Sequence, residues 1–516
     1  MGKRKLDSDD DFSDSDYQFY ASSEPKTRKK RSSSRPHSDK KTRHKLDASE
    51  DLSPTPPHTK NTHTIKTTDI TAIRSALLQW YSTVHDSRNM PWRKRYDPTL
   101  GREGRAQRAY EVWISEIMLQ QTQVATVIPY YNRWIEKFPT IRDLAIASID
   151  EVNALWKGLG YYSRASRLLT GAQKAVSDHT GRLPDNAKDL QAHIPGIGRY
   201  SAGAISSIAY GENAPVLDGN VTRLLSRLLA LHASPKAKTT LDILWAAAAA
   251  MVDGLDSTLA STNESAQYPG DINQALIELG STVCKVRDPN CTGCPLRLWC
   301  AANTNMKAPT PMAVTDIEDL CAICVPLAEG ADVTAYPLRV NKKKVREEFD
   351  IVNVVEWRRG SDRRFLLVRR PQGGLLAGLD EFPTTPNVGV SLAPARLAKI
   401  PQQILSTLLH ASIRLGDADI LQITKVQPAG DVVHVFSHIK KTYRVQWVLL
   451  EGTPEPPRLA SPRDAGKETG WCRSRTAGAV PSSEWVPLEA VAAKNITTGV
   501  TKIWNLCRTL WEKGDE

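Results

Sequence analysis

No apolar run in this 516-residue chain approaches the roughly 18–20 residues that a membrane-spanning helix needs, which argues against an integral membrane protein. The N-terminus, MGKRKLDSDDD, lacks the apolar stretch that would follow the basic residues of a signal peptide, and its early acidic run speaks against a mitochondrial transit peptide. Residues 1–65 are nearly without aliphatic side chains, so they bury too little apolar surface to offset the entropy of ordering and read as a disordered tail. No internal repeat is visible. What the chain does have is a basic balance, 68 Lys+Arg against 57 Asp+Glu for a formal charge of +11, which suits an anionic partner such as nucleic acid. Within the tail, the acidic block from Asp7 to Asp16 precedes the basic run Lys26-Thr27-Arg28-Lys29-Lys30-Arg31, which reads either as a nuclear import signal or as a solvated charge run.

At this length two folded domains are expected. From 66 to 300, apolar residues recur at helical spacing, as in Ile70-Ile73-Leu77-Leu78-Tyr81 and Val112-Trp113-Ile117-Met118, and the segment reads as all-α with a polar loop insertion near 256–268. Residues 301–335 carry little periodicity and several prolines, as a connector would. From 336 to 516 the texture is α+β: strands are expected around Phe349–Val355, Phe365–Val368, Val432–Phe436 and Tyr443–Leu450, with helices near 391–412 and 499–512.

Four of the eight cysteines, Cys284, Cys291, Cys294 and Cys300, lie within one short stretch, separated by six, two and five residues. Soft thiolates at such density point to a metal centre, either tetrahedral zinc or an iron–sulfur cluster, and the single two-residue gap favours the latter. This spacing, following GDINQALIELG at 270–280, resembles the cluster loop of the endonuclease III superfamily of DNA glycosylases, which implies a [4Fe–4S] cluster used for structure and DNA engagement.

Ile194-Pro195-Gly196-Ile197-Gly198 interrupts a helical region with two glycines, permitting close backbone approach ahead of a fresh helix N-terminus. It reads as a helix–hairpin–helix that grips DNA phosphate through Gly196 and Gly198, against the plainer alternative of an ordinary helical corner. Asp218, in Val216-Leu217-Asp218-Gly219-Asn220, is either a helix cap or an anion placed to stabilise positive charge on a sugar. Glu116 lies among apolar neighbours in SEIMLQQTQV, where burial would raise its pKa toward that of a general acid.

The SEIMLQQTQV block resembles the MutY-type adenine DNA glycosylases, as do Pro91-Trp92-Arg93 and the run from Leu155 to Ala165. The resemblance implies removal of adenine opposite 8-oxoguanine or guanine in double-stranded DNA. Glu116 and Asp218 would be catalytic, with Tyr200 and Asn220 orienting them. Arg88, Trp92, Arg93 and Glu278 would line the adenine pocket, while Gln121, Thr122, Leu159, Gly160 and Tyr161 would enter or flank the DNA stack. Bifunctional relatives carry a nucleophilic lysine where this chain has Tyr200, so a monofunctional enzyme leaving an abasic site is expected.

The C-terminal half resembles the Nudix-like domain of the same family in Tyr336-Pro337-Leu338, the run from Leu375 to Pro383, and Phe436-Ser437-His438, the last implied to recognise 8-oxoguanine. Asp380 stands where the family usually has Trp, and the paired carboxylates of a magnesium-binding Nudix box are absent. Connector residues Cys321 and Cys324 correspond to zinc ligands of animal relatives; Ser226 occupies the expected third position, His232 is a nearby substitute, and a metal-free pair stays open. Checkpoint- or sliding-clamp binding through the connector, a monomeric state, and residence in the nucleus with the mitochondrion left open complete the expectations. The rivals are a related glycosylase with another base preference and a catalytically idle lesion-binding scaffold.

Overall fold

The computed structural model describes residues 60–255, 267–305, 321–328, 330–340, 345–371, 376–389, 394–397, 399–410, 421–436, 439–460 and 482–512. The charge runs of the tail, most of the loop near 256–268, Leu375, Ser437, His438 and Cys472 lie outside them. Contacts divide the chain into two units: residues up to 146 with 168–341, and residues 147–167 with 342–516. The second unit thus includes a short helical stretch that sequence texture alone assigns to the helical half.

The first unit is built from helices. Among them are α1 (Ile70–Val84), α2 (Arg102–Leu119), α3 (Val124–Lys137) and α4 (Ile141–Ile146). In α1, Ile73, Leu77 and Tyr81 of the expected apolar set are buried and Ile70 and Leu78 partly so, while Arg74 is buried beside them, its guanidinium donating to the Met251 carbonyl. Helices α5 (Ile149–Trp156) and α6 (Ser163–Asp178) follow, with α5 belonging to the second unit. Next come α7 (Ala187–His193), α8 (Arg199–Ile205), α9 (Gly219–Leu228), α10 (Lys238–Val252) and α11 (Pro269–Thr282). Helix α11 packs closely on the start of α9 at Gly280, where a Cβ would stand 2.7 Å from the Asn220 carbonyl oxygen; only a glycine leaves room for that approach. The tail read from composition gives way before residue 65: Lys60–His63 form a 3₁₀ turn, and His63 is buried.

The second unit holds a mixed sheet. Its strands are β1 (Arg346–Arg359), β2 (Asp362–Arg369), β3 (Asp380–Glu381), β4 (Thr384–Thr385), β5 (Gln422–Val435), β6 (Ile439–Glu451) and β7 (Ser483–Pro487). The order is β3-β2-β1-β6-β5, with β4 on β1 and β7 on β2. The central β1–β6 pair is parallel and the others antiparallel. Alternate residues pack on opposite faces. Val352, Val354, Phe365, Leu367, Val445 and Trp447 meet the C-terminal helix, while Val355, Trp357, Leu366, Val368, Val448 and Leu450 meet the helix Ile400–Leu408. A sheet covered on both faces explains why burial is unbroken from Asp350 to Trp357 in β1 and from Val445 to Leu450 in β6. Strand β5 lies at the edge, where Pro428 is tolerated and Gly430, at φ +122°, follows a register shift.

The C-terminal helix, Thr498–Glu512, carries Trp504 into an aromatic cluster with Phe365 (4.8 Å between centroids), Trp511 (5.4 Å) and Phe382 (5.9 Å). Cys507 is buried in the same core, a packing role for a thiol that sequence left unassigned. Trp504→Ala should cost about 3–5 kcal/mol of stability. Chemical denaturation followed by tryptophan fluorescence would show the loss, and an unchanged midpoint would contradict this account of the core.

Candidate active site and metal centres

Asp218 caps α9. Its carboxylate accepts from the Val221 N–H at 2.7 Å and from the Asn220 amide at 2.9 Å, so the cap expected from local sequence and the anion expected at the site are the same side chain. It is 8% exposed, and burial raises its pKa, against the pull of those two donors and of Arg223. Asn220 is held in turn by the Arg223 guanidinium at 2.8 Å, which also donates to the carbonyls of Gly280 (2.7 Å) and Cys284 (2.9 Å). The Asp218–Asn220 pair is therefore tied to the first residue of the four-cysteine stretch, Cys284, through one buried side chain.

Glu116 lies near the end of α2, half-buried, with its Oε2 accepting from the Tyr200 hydroxyl at 2.7 Å. Desolvation pushes its carboxyl up to about 7; the Tyr200 hydrogen bond opposes this, and the charge of Asp218 adds to it. Two carboxyls near one another, one raised to neutrality and the other bonded by several donors, are suited to separate acid and anion roles. Arg88 and Arg93 converge on the buried Glu278, at 3.1 and 2.7 Å, and Arg93 also lies over the Tyr81 ring. Trp92 is buried edge-to-face on Tyr131, 5.2 Å between centroids, so packing accounts for it directly.

Between α7 and α8 the hairpin forms as expected: Gly196 takes φ +87°, and Gly198 is the N-cap of α8. Gln121, at φ +56°, is exposed just past the end of α2, and the Thr122 N–H donates to the Leu119 carbonyl. In the second unit, Gly160 (φ +72°) and Tyr161 (φ +46°) form a left-handed turn in which Leu159 is buried and Tyr161 is 44% exposed. Phe436 lies at the β5–β6 turn, its N–H donating to the Ile439 carbonyl at 2.7 Å and its ring edge-on to His434. Asp380 is buried in β3 opposite Arg369 of β2, and burial pushes it up to about 6.

Cys284, Cys291, Cys294 and Cys300 line one cavity together with Leu296 and Arg227. Among the described residues, no three of these thiols lie within 4.8 Å of one another. Arg227, fully buried, donates to the Cys284 sulfur (3.3 Å) and to the carbonyls of Lys285 (2.7 Å) and Tyr336 (3.2 Å). A second group differs from expectation. Ser226 donates within its own helix to Thr222, and the Nδ1 of His232 is bonded to the Val325 carbonyl; neither joins the connector pair. His63 does, with Nε2 at 3.4 Å from the Cys321 sulfur and 3.2 Å from that of Cys324. Its Nδ1 is 2.9 Å from the Leu229 carbonyl, which can only accept, so Nε2 presents its lone pair to the thiols.

Sequence reasoning missed His63 because it sat in a segment of tail-like composition. It missed Arg223 and Arg227 because charged residues on a helix are by default assigned to its solvent face. A cue was present in α9: both arginines fall among residues that are otherwise apolar or small.

The comparisons agree with this geometry. The family described as HhH-GPD superfamily base excision DNA repair protein matches residues 114–249, and a NUDIX domain matches 354–506. The chain is therefore of the helix–hairpin–helix base excision repair class with a Nudix-like second domain. A rat adenine DNA glycosylase is 42% identical over 410 residues, covering 77% of this chain and 74% of its own, and a human one is 41% identical over 409, covering 75% and 70%. The chain belongs to the adenine DNA glycosylase family. A solved thermostable thymine-DNA glycosylase is also similar, with a TM-score of 0.36 and 24% identity, covering 46% of this chain and 98% of that one.

Replacing Tyr200 with Phe removes a donor that favours ionised Glu116, so the Glu116 carboxyl should titrate at a higher pH. Infrared difference spectra across pH 5–9 would register this, and a fall or no change would refute the assigned hydrogen bond.

Proposed function

We propose that this protein excises adenine paired with 8-oxoguanine, and with guanine, from double-stranded DNA, and that it is monofunctional, leaving an abasic site. The observation that carries the reading is the Glu116 carboxyl, poised near neutrality by burial and bonded to Tyr200, beside a capped and buried Asp218. The flipped base would be protonated by Glu116, making adenine a better leaving group. The N-glycosidic bond then breaks with positive charge developing on the sugar, which the Asp218 carboxylate stabilises. Glu116, now ionised, takes a proton from the attacking water. Tyr200 has no amine with which to form a Schiff base, so strand cleavage has no covalent route here.

The four cysteines at 284–300 would hold a [4Fe–4S] cluster, whose contribution is structural, ordering the loop that Arg223 and Arg227 join to α9. His63, Cys321 and Cys324 would hold zinc, which would tie the connector to the start of the first unit. The hairpin at Gly196–Gly198 would bind phosphate, Tyr161 would wedge into the stack, and the turn at Phe436 would meet the opposite base. The basic run Lys26–Arg31 supports action in the nucleus.

A duplex assay with adenine opposite 8-oxoguanine, G, C and T tests the reading. Strand breaks appearing only after alkali, and chiefly opposite 8-oxoguanine and G, are expected; breaks without alkali would exclude monofunctional excision. Glu116→Gln should retain duplex binding and release no adenine. Since the acid must be protonated, the wild-type single-turnover rate should fall as pH rises through about 7; a rate that climbs from pH 6 to 8 would sink the acid role. Purified protein should contain zinc, and His63→Ala should lose it by elemental analysis; zinc retained in that variant would disprove the site.

A further inference from the structure

Both ends of α5, the helix that leads into the Tyr161 turn, are attached to the C-terminal fold, the start at strand β2 and the end at the turn that follows β7. At its start, where Ser148 and Glu151 form a capping box, the Asp150 carboxylate is paired with both terminal nitrogens of Arg369. The Asn495 amide donates to the Asp150 carbonyl (3.2 Å) and carboxylate (3.3 Å). Asn495 is itself anchored, its carbonyl accepting from the Asp380 N–H at 3.0 Å, and Asp380 is the cross-strand neighbour of Arg369. At the far end, Lys157 donates to the carbonyls of Ala492 (2.7 Å) and Lys494 (3.0 Å). A helix held at two points eight residues apart or less cannot swivel about either.

The turn that follows is equally determined. The Trp156 indole donates to the Gly160 carbonyl at 2.8 Å, and Arg164 donates to the carbonyls of Leu159 (3.2 Å) and Gly160 (3.3 Å), its guanidinium 5.5 Å from the Tyr161 ring. Left-handed backbone at a tyrosine costs of order 1 kcal/mol or more and persists where the surroundings over-determine it. The exposed ring therefore projects from a turn whose base is bolted to the Nudix-like fold.

We propose that Asp150, Lys157, Arg369 and Asn495 are positioning residues through which the C-terminal domain sets the posture of Tyr161, so that contact of this domain with the opposite strand and entry of Tyr161 into the stack are one movement. This rests on the wedge role given to Tyr161 above. Arg369, whose cross-strand neighbour is Asp380, carries the ion pair with Asp150 from strand β2.

The test uses the full-length protein and a lesion duplex with 2-aminopurine next to the target adenine, whose fluorescence rises on unstacking. Asp150→Ala and Lys157→Met should each reduce the unstacking amplitude and single-turnover rate about tenfold, with Tm unchanged and Kd for the duplex altered less than about twofold. Asp150→Glu should restore both. Wild-type amplitude and rate in the Ala and Met variants, alongside a loss in Tyr161→Ala, would overturn this proposal alone. Parallel loss of Tm, binding and rate, without rescue by Glu, would also overturn it in favour of plain folding support. No loss in Tyr161→Ala would instead remove the wedge role and this proposal with it.

Discussion

The buried carboxylate of Asp218 is the constraint on which the helical unit depends. An ionised group at 8% exposure is costly unless donors surround it, and here they come from the first turn of α9 itself. Meeting that demand fixes where α9 begins. Farther along the same helix, Arg223 and Arg227 bury guanidinium groups whose needs are met by the carbonyls of 280 and 284–285 and of Tyr336. One helix thus carries the buried Asp218 carboxyl at its start and holds the cysteine loop along its side. The close approach at Gly280 is what makes this reach feasible.

The electrostatics of the two carboxyls follow from unequal donor supply. Glu116 has one hydroxyl donor, and desolvation dominates; Asp218 has a backbone N–H, an amide and a nearby guanidinium. Burial raises both carboxyls, and the donors around Asp218 oppose that rise more than the single hydroxyl beside Glu116 does. That asymmetry is the physical basis for assigning different roles to residues that composition treats as equivalent.

The C-terminal unit shows a different economy. Its sheet is stabilised from two sides by apolar packing, which leaves the edge formed by β3 and the segment after β7 free for polar work. There Arg369 and Asn495 engage a helix that comes from far earlier in the chain, and the Asp380 N–H holds the Asn495 carbonyl. The substitution of Asp for the usual Trp looks like a loss of packing when read as sequence. In the fold it is the cross-strand neighbour of Arg369 and its N–H donates to the Asn495 carbonyl.

By itself the sequence determined the class of each half, since helical spacing from Ile70 to Tyr81 and the apolar strands at Val352 and Val445 report which face of a local element is buried. It also singled out Glu116, Asp218 and the four close cysteines as candidates, because those residues sit in long distinctive runs. Tertiary structure alone decided that His63 joins Cys321 and Cys324 across 258 and 261 residues, that α5 is held through Asp150 on strand β2 and through Lys157 on the turn after β7, and that Arg223 and Arg227 point inward. The reason is that periodicity encodes burial but not partners: a polar side chain is legible only where its ligand is near in sequence. These ligands are carbonyls, thiols and carboxylates brought up from remote parts of the chain.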